Sequence, residues 1–499
     1  KHYHEREQTI IQTTRTPSGD HSREFLCLNR GDNGRLYLER VQFRVLLDQD
    51  QMSPVPTRVY LLAETANHAR YHKRVIEALQ NFLNPALDQH PRLEWESDLL
   101  TQYRYKEPAG KLVDDVQVIQ IDEFELPTRG SVADSPFYAF AREGNESVVD
   151  LRHASLRERI ITTDGQHFVA VPYYFNCSFL AISRSELLKA RNRNPFGLDG
   201  EGKPDPSSWR WDKITAFVQE LENERGLNSP DIDEKAVCQQ LVFSCPVYDE
   251  ILETYNSFFF EILHSLRRFR SDASEVDALE WIGSSTGEEA ILYFRRLNRI
   301  SHRFFYNASQ KPRALINRHW YNTLNQELTN WHLSSNNDLS IHPLPGNITT
   351  SGEWYLVAPS YSRSPEIALD IIRFLCNEDQ ENARRHEGVG LPTVGDFYGR
   401  GPNGYSGEGP SFSASPYCRL LLDDVSRMIR GAFRRSWIPG YCAIRSSISA
   451  HLRWSLELPS MCETDERQRV ADIIGSLVHE IQTIYSHRER CKRMSSLRA

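Results

Sequence analysis

Residues 164–188 read DGQHFVAVPYYFNCSFLAISRSELL, and the fold turns on this stretch. Asp164 and Gly165 lead into a strand carrying Phe168, Pro172, Tyr173 and Tyr174. That strand feeds into the apolar run Phe179, Leu180, Ala181 and Ile182, after which Arg184, Ser185, Glu186, Leu187 and Leu188 open a helix. Toward the N-terminus, residues 115–121 (DVQVIQI) form an almost continuous apolar and β-branched run, of the kind buried in a parallel sheet, ending in Asp122, Glu123 and Phe124. Residues 92–96 read as a shorter strand and residues 58–63 (RVYLLA) as a buried one. Between these two, Val75, Ile76, Leu79, Phe82 and Leu83 fall on one face of a 3.6-residue period, which predicts a helix. Strands alternating with helices predict α/β architecture with right-handed crossovers.

Toward the C-terminus, residues 178–336 read as mostly helical: Trp211, Ile214, Phe217, Val218 and Leu221 share a face, and 247–266 and 287–305 are amphipathic. Strands return at 339–344 and 354–358, followed by a helix at 364–376 and further helices at 416–433, 441–456 and 465–487. The last has a clean stripe of Val470, Ile473, Ile474, Leu477, Val478, Ile481, Ile484 and Tyr485, with an acidic first turn and a basic end that suit the helix dipole. Residues 1–54 read as an N-terminal appendage or linker, strand-like at 23–28 and 35–47 around the hairpin signal Gly31, Asp32, Asn33, Gly34, with a Pro-containing linker at 52–56.

A chain of 499 residues with 39% hydrophobic composition and aromatics along its whole length has room for a large core, which excludes a disordered or low-complexity protein. No run reaches the ~20 apolar residues of a membrane-spanning helix. A net charge of −8 argues against nucleic acid as the partner, because phosphate binding needs a concentrated basic face. The chain starts at Lys1 without a charged and apolar leader, so either a targeting segment was removed or the sequence is a fragment of a longer one. Nine cysteines without a CxxC pair are neither a zinc ribbon nor a dense disulfide framework; they fit free thiols in a reducing compartment at least as well as secretion. Against that stand four Asn-x-Ser/Thr triplets, at Asn145, Asn176, Asn307 and Asn347.

Common catalytic signatures are missing. Gly399, Gly401 and Gly404 have the GxGxxG spacing, but Pro402 and Asn403 interrupt it and neither strand nor helix flanks it, so a surface loop is expected. The sequence has no GxxxxGK[ST], GxSxG or HExxH, and His2 and His4 belong to a solvated terminus. No metal site or cofactor is expected, and no internal repeat is visible.

The order DG…F…PYY, apolar strand, RSELL resembles the extracellular solute-binding proteins of ABC importers, in particular the sugar-binding, maltose-binding-protein-like family with the type 2 periplasmic binding fold. In that family a "dG…Y…PYy…YNKDLL" stretch marks the first interlobe crossover. Other pieces follow in family order: Pro206, Ser207, Ser208 and Trp209 resemble its "PxTW", and residues 312–320 (PRALINRHW) resemble "gkAamxxxW". Pro343, Leu344, Pro345 and Gly346, then Gly352, Glu353 and Trp354, resemble "PlPg…GGw", and residues 388–392 (GVGLP) resemble "gxxP". The resemblance spans residues 57–485.

It implies an α/β fold of two lobes joined by crossover strands with a helical C-terminus: 55–172 plus 340–392 as lobe 1, 173–339 plus 393–490 as lobe 2, and 491–499 as a basic tail. It also implies a cleft between the lobes in which a small polar ligand, a carbohydrate foremost, is bound without catalysis and released by hinge opening. Aromatic faces there stack on sugar rings while carboxylates and amides take the hydroxyls. The positions carried over are Glu64 and Thr65, Asp122 and Glu123, Tyr173, Tyr174, Asn176 and Cys177, Trp320, Gly352, Glu353 and Trp354, with Trp437 and Tyr441 from the C-terminal lobe. The implied partners are the sugar and an ABC permease or a fused signalling module, for a monomeric domain outside the cytoplasm. Nine cysteines, and 10 lysines against 49 arginines, depart from the family and keep a cytoplasmic sensor open. Two alternatives remain: a cysteine-dependent transferase of thiaminase I type, with Cys177 as nucleophile and Glu353 or Asp122 as base, and a degenerate domain that serves protein interaction.

Overall fold

The computed structural model describes residues 9–15, 21–27, 29–30, 36–37, 41–46, 56–61, 68, 71–72, 74–75, 78–79, 93–96, 116–123, 126, 137–149, 160–162, 165–183, 187, 196–197, 205, 208–229, 232, 237, 240–245, 253–267, 275–305, 314–322, 339–360, 365–387, 389–391, 393, 432–434, 441–459 and 461–496. Its strands are β1 (Thr9–Arg15), β2 (His21–Cys27), β3 (Asn29–Arg30), β4 (Leu36–Tyr37), β5 (Val41–Leu46), β6 (Pro56–Leu61), β7 (Leu93–Glu96) and β8 (Val116–Asp122). There follow β9 (Phe140–Ala141), β10 (His167–Phe168), β11 (Val171–Ser183), β12 (Phe243–Ser244), β13 (Ile316–Trp320), β14 (Leu339–His342), β15 (Thr350–Val357) and β16 (Phe433–Arg434). The helices are α1 (Glu146–Val149), α2 (Trp211–Glu224), α3 (Glu253–Arg267), α4 (Glu275–Ile282), α5 (Ser285–Phe305), α6 (Pro365–Leu375), α7 (Glu378–Glu387), α8 (Tyr441–Glu457) and α9 (Glu463–Ser496).

The chain divides into two compact units, one made of Lys1–Asn176, Asn322–Asn330 and Gly352–Ser415, the other of Cys177–Tyr321, Trp331–Ser351 and Pro416–Ala499. Both β11 and β15 therefore pass from one unit to the other. The sequence suggests two consecutive strands meeting near residues 174–179; after the short β10 the structure runs Val171–Ser183 as one strand, whose thirteen residues are all buried. With no glycine and no proline after Pro172, nothing in this run breaks the extended backbone.

In the first unit the strand order is β7-β5-β6-β8-β15. β5 lies antiparallel to β7 and β6, β6 runs parallel to β8, and β8 is antiparallel to β15. Residues 41–46, read from sequence within the appendage, are thus a strand of this sheet; their alternating valine, phenylalanine and leucine pair along β6 from Val41 opposite Leu61 to Leu46 opposite Pro56. The hairpin expected at Gly31–Gly34 is bracketed by β3 and β4, Arg30 standing opposite Leu36. Val118, Ile119 and Ile121 of β8 and Tyr355, Leu356 and Val357 of β15 form one core with Ala368, Ile371, Ile372 and Leu375 of α6 and with Val75 and Leu79. Residues 71, 75 and 79 are helical, and their spacing of four puts Tyr71, Val75 and Leu79 on one face, which is why they are buried together.

In the second unit β13 runs parallel to β12 and antiparallel to β11, and β14 pairs with β11. The helix α5 packs against α2, α3, α8 and α9. Buried Arg295 ties this bundle together: it donates to Glu466 at 2.9 Å and to the carbonyls of Ser455, Leu458 and Pro459 at 2.7, 3.0 and 2.8 Å. The Ser455 carbonyl belongs to the last turn of α8, where carbonyls lack intrahelical partners, and Leu458 and Pro459 follow directly, so the guanidinium acts as its C-terminal cap. On α9, Val470, Ile473, Ile474, Leu477, Ile481 and Tyr485 are buried as the stripe predicts, with Val478 and Ile484 half-buried. The helix runs on to Ser496, past the expected His487, because the following Arg, Glu, Lys and Met residues are good helix formers. Of the helix expected at 416–433, residues 416–431 lie outside the described residues, and Phe433 belongs to β16. Among the described residues, no helix is long and apolar enough to cross a membrane.

Candidate functional site

At the end of β8 the register pairs Asp122 with Trp354 of β15, which brings two of the sequence-predicted residues side by side. Asp122 and Glu123 are buried, as is Glu353, which accepts a hydrogen bond from the Tyr355 hydroxyl. Trp354 is only half-buried. Its ring lies 6.0 Å from that of Tyr174, which in turn sits 5.3 Å from Tyr173 and 5.3 Å from His68. The Tyr174 hydroxyl accepts from Gln120 at 3.2 Å, and the Tyr173 ring carries the Arg384 guanidinium 4.3 Å from its centre. Arg384 also donates to the Tyr71 hydroxyl at 3.3 Å and to the Leu375 carbonyl at 2.5 Å. Both tyrosines are buried; burial pushes the Tyr173 phenol well above its usual range. Burial holds His68 down to about 3, and burial together with His68 and Arg384 holds His72 well below the usual imidazole range, so both rings are neutral at physiological pH.

A backbone clamp fixes the crossover strand here. The Asn322 N–H donates to Asn176 Oδ1 at 3.2 Å, and the Gly390 N–H donates to Asn322 Oδ1 at 2.8 Å. Gly390 has φ +69°, and a Cβ there would stand 2.4 Å from the Tyr174 ring. The glycine of the GVGLP segment is thus required twice over, by its backbone and by its neighbour.

The second unit holds a separate constellation. Trp320, at the end of β13 opposite Ser178, is half-buried, with the Arg318 guanidinium 4.2 Å from its ring centre. Arg318 is fully buried and pairs with Glu261 of α3, Nε at 3.1 Å and Nη2 at 2.5 Å. The Thr350 hydroxyl donates to the same carboxylate at 2.6 Å, and the Thr350 N–H donates to the Ser178 hydroxyl at 2.9 Å. Alternation along β13 explains the stack: residues two apart share a face.

Cys177 is fully buried, and burial pushes its thiol up, offset only in part by Arg318. A nucleophilic cysteine needs the opposite shift. Tyr441 is buried and its hydroxyl donates to Glu253 at 2.7 Å, with the Phe260 ring edge-on at 6.0 Å. Gly352 is buried within β15. Glu64, Thr65 and Trp437 lie outside the described residues. Of the four glycosylation triplets, Asn145 and Asn176 are buried, Asn347 is exposed at a turn with φ +60°, and Asn307 lies outside the described residues. No group of three metal-ligating side chains occurs among the described residues. Sequence reasoning missed Arg318, Glu261, Gln120, His68 and Arg384; only the i, i+2 spacing of Arg318 and Trp320 and the i, i+4 spacing of His68 and His72 carried a signal.

No family model matches this chain, and no curated protein matches its sequence. Solved structures do. A chitin oligosaccharide binding protein is 10% identical with a TM-score of 0.57, covering 85% of this chain and 98% of its own. UgpB from Mycobacterium tuberculosis, solved in complex with glycerophosphocholine, is 14% identical with a TM-score of 0.55 over 84% of this chain and 96% of its own. The GacH receptor of Streptomyces glaucescens, solved unliganded and with acarbose, is 12% identical with a TM-score of 0.54 and the same coverage of 84% and 96%. At these identities the likeness is one of fold, and the fold is the type 2 periplasmic-binding-protein fold that the sequence resemblance implies.

Proposed function

We propose that this chain is a non-catalytic receptor for a small polar ligand, an oligosaccharide foremost, whose binding is accompanied by hinge closure. One observation supports the reading above others: Trp354 and Trp320 are each half-buried, the first standing opposite Asp122 at the end of β8 with the Tyr174 ring 6.0 Å away, the second at the end of β13 over the Arg318 guanidinium that Glu261 holds. Such rings offer a flat apolar face to the C–H surface of a sugar without having to be ordered on binding. In this reading Asp122, opposite Trp354 in the strand register, together with Glu123, Glu353, Gly352 and Asn176 supplies acceptors and backbone groups; Tyr174, 6.0 Å from the Trp354 ring, supports it with Tyr173 behind. The receptor hands its ligand to an ABC permease or reports it to a signalling module, outside the cytoplasm. Cysteine transfer is disfavoured because the buried Cys177 thiol is held protonated.

Calorimetric titration with chitin and malto-oligosaccharides tests the reading. Saturable binding is expected, weakened about tenfold or more by Trp354→Ala or Trp320→Ala with unchanged circular dichroism. No binding across the series would leave the interaction-domain alternative in its place.

A further inference from the structure

We propose that Arg318 sets the ligand class at Trp320: the ring accepts uncharged polyols and refuses quaternary-ammonium ligands. This deepens the proposed function and rests on Trp320 being a ligand-facing ring. An aromatic face ordinarily attracts cations, because its quadrupole is negative above and below the ring. Here the inner face is already occupied by a guanidinium whose Cζ lies 4.2 Å from the ring centre. That cation draws π density inward, leaving the outer face depleted and less able to hold a second positive charge. Dispersion and apolar contact with C–H groups need no such charge and are left intact.

The arrangement is fixed rather than incidental. Arg318 is fully buried, and Glu261 takes its Nε and Nη2, while its Nη1 has no hydrogen-bond partner among the described residues. Glu261 is also engaged by Thr350, so its negative charge is shared among three donors at the edge of the guanidinium, whereas the flat face of Arg318 meets the indole. A surface arginine swings away from a ring when a cation approaches; this one cannot.

The test compares a neutral N-acetylated chitin oligosaccharide with glycerophosphocholine by calorimetry, on the wild-type chain and on Arg318→Met combined with Glu261→Gln. The paired change avoids stranding a buried carboxylate and keeps an acceptor for Thr350. The wild type is expected to bind the oligosaccharide and to show no detectable binding of glycerophosphocholine. The double variant should shift the affinity ratio toward glycerophosphocholine by about fivefold or more. Oligosaccharide binding with an unchanged ratio in a folded double variant overturns the role of Arg318 and leaves the proposed function standing. So does wild-type binding of both probes with similar affinity, a result that decides the matter even if the double variant does not fold. Binding of neither probe, with no malto-oligosaccharide bound either, overturns both readings.

Discussion

Glu222 on α2 is buried, and burial pushes its carboxyl up to about 8 against the pull of Arg299 and Arg225. A folded-state value above the unfolded one means that the folded chain binds the extra proton; the stabilisation is complete below the unfolded value and is lost as pH rises through about 8. Unfolding in urea should therefore show roughly 3 kcal/mol less stability at alkaline than at mildly acidic pH from this group alone, and Glu222→Gln should flatten that slope. His68 and His72 act in the other direction: their lowered values give stability that is present above the unfolded imidazole value and declines as pH falls toward about 3. An alkaline limb that persists in Glu222→Gln would exclude the carboxylate as its source. At Gly390, alanine would drive a methyl group into the Tyr174 ring while holding a left-handed backbone, a loss of about 2 kcal/mol or more that a thermal melt would register. Cysteine mapping gives a third check on individual residues. Under native conditions an alkylating reagent should label exposed Cys462 and spare buried Cys177, Cys245 and Cys376 until the chain is denatured.

Among the elements, α8 and α9 depend on a single side chain. Replacing Arg295 with methionine removes the donors to three carbonyls at the end of α8 and one partner of Glu466, while Arg296 retains the other carboxylate oxygen at 2.8 Å. We expect a loss of about 3 kcal/mol, with faster hydrogen exchange confined first to 452–459. Uniform acceleration along α5 would contradict a capping role. The periodic elements were legible because their pattern is local: the stripe of α9 and the run of β8 each announce a buried face in a few residues. The placement of β5 was not, since a six-residue strand that follows a hairpin and precedes a linker has the same local signal whether it stands apart or joins a sheet.

For the whole molecule, closure about β11 and β15 is a property of the proposed receptor that solution scattering can measure. Saturating oligosaccharide should reduce the radius of gyration; binding without compaction would remove closure from the mechanism and leave recognition intact. The order of motifs along the chain was enough to imply the two-unit fold, because each motif marks a strand end or turn whose chemistry is local: PLPG takes Gly346 and Asn347 through positive φ, and GVGLP presses Gly390 against Tyr174. Of the candidate site, the sequence by itself named Asp122 and Trp320 at the ends of β8 and β13 and Trp354, which stands opposite Asp122. What stands behind them was decided only by tertiary structure. The Arg318–Glu261 pair joins residues 57 apart in the chain, and Tyr173 meets an arginine from α7. Strand and helix propensities act over a few residues, whereas a buried ion pair or a stacked guanidinium forms wherever folding brings two distant segments together and excludes water from both.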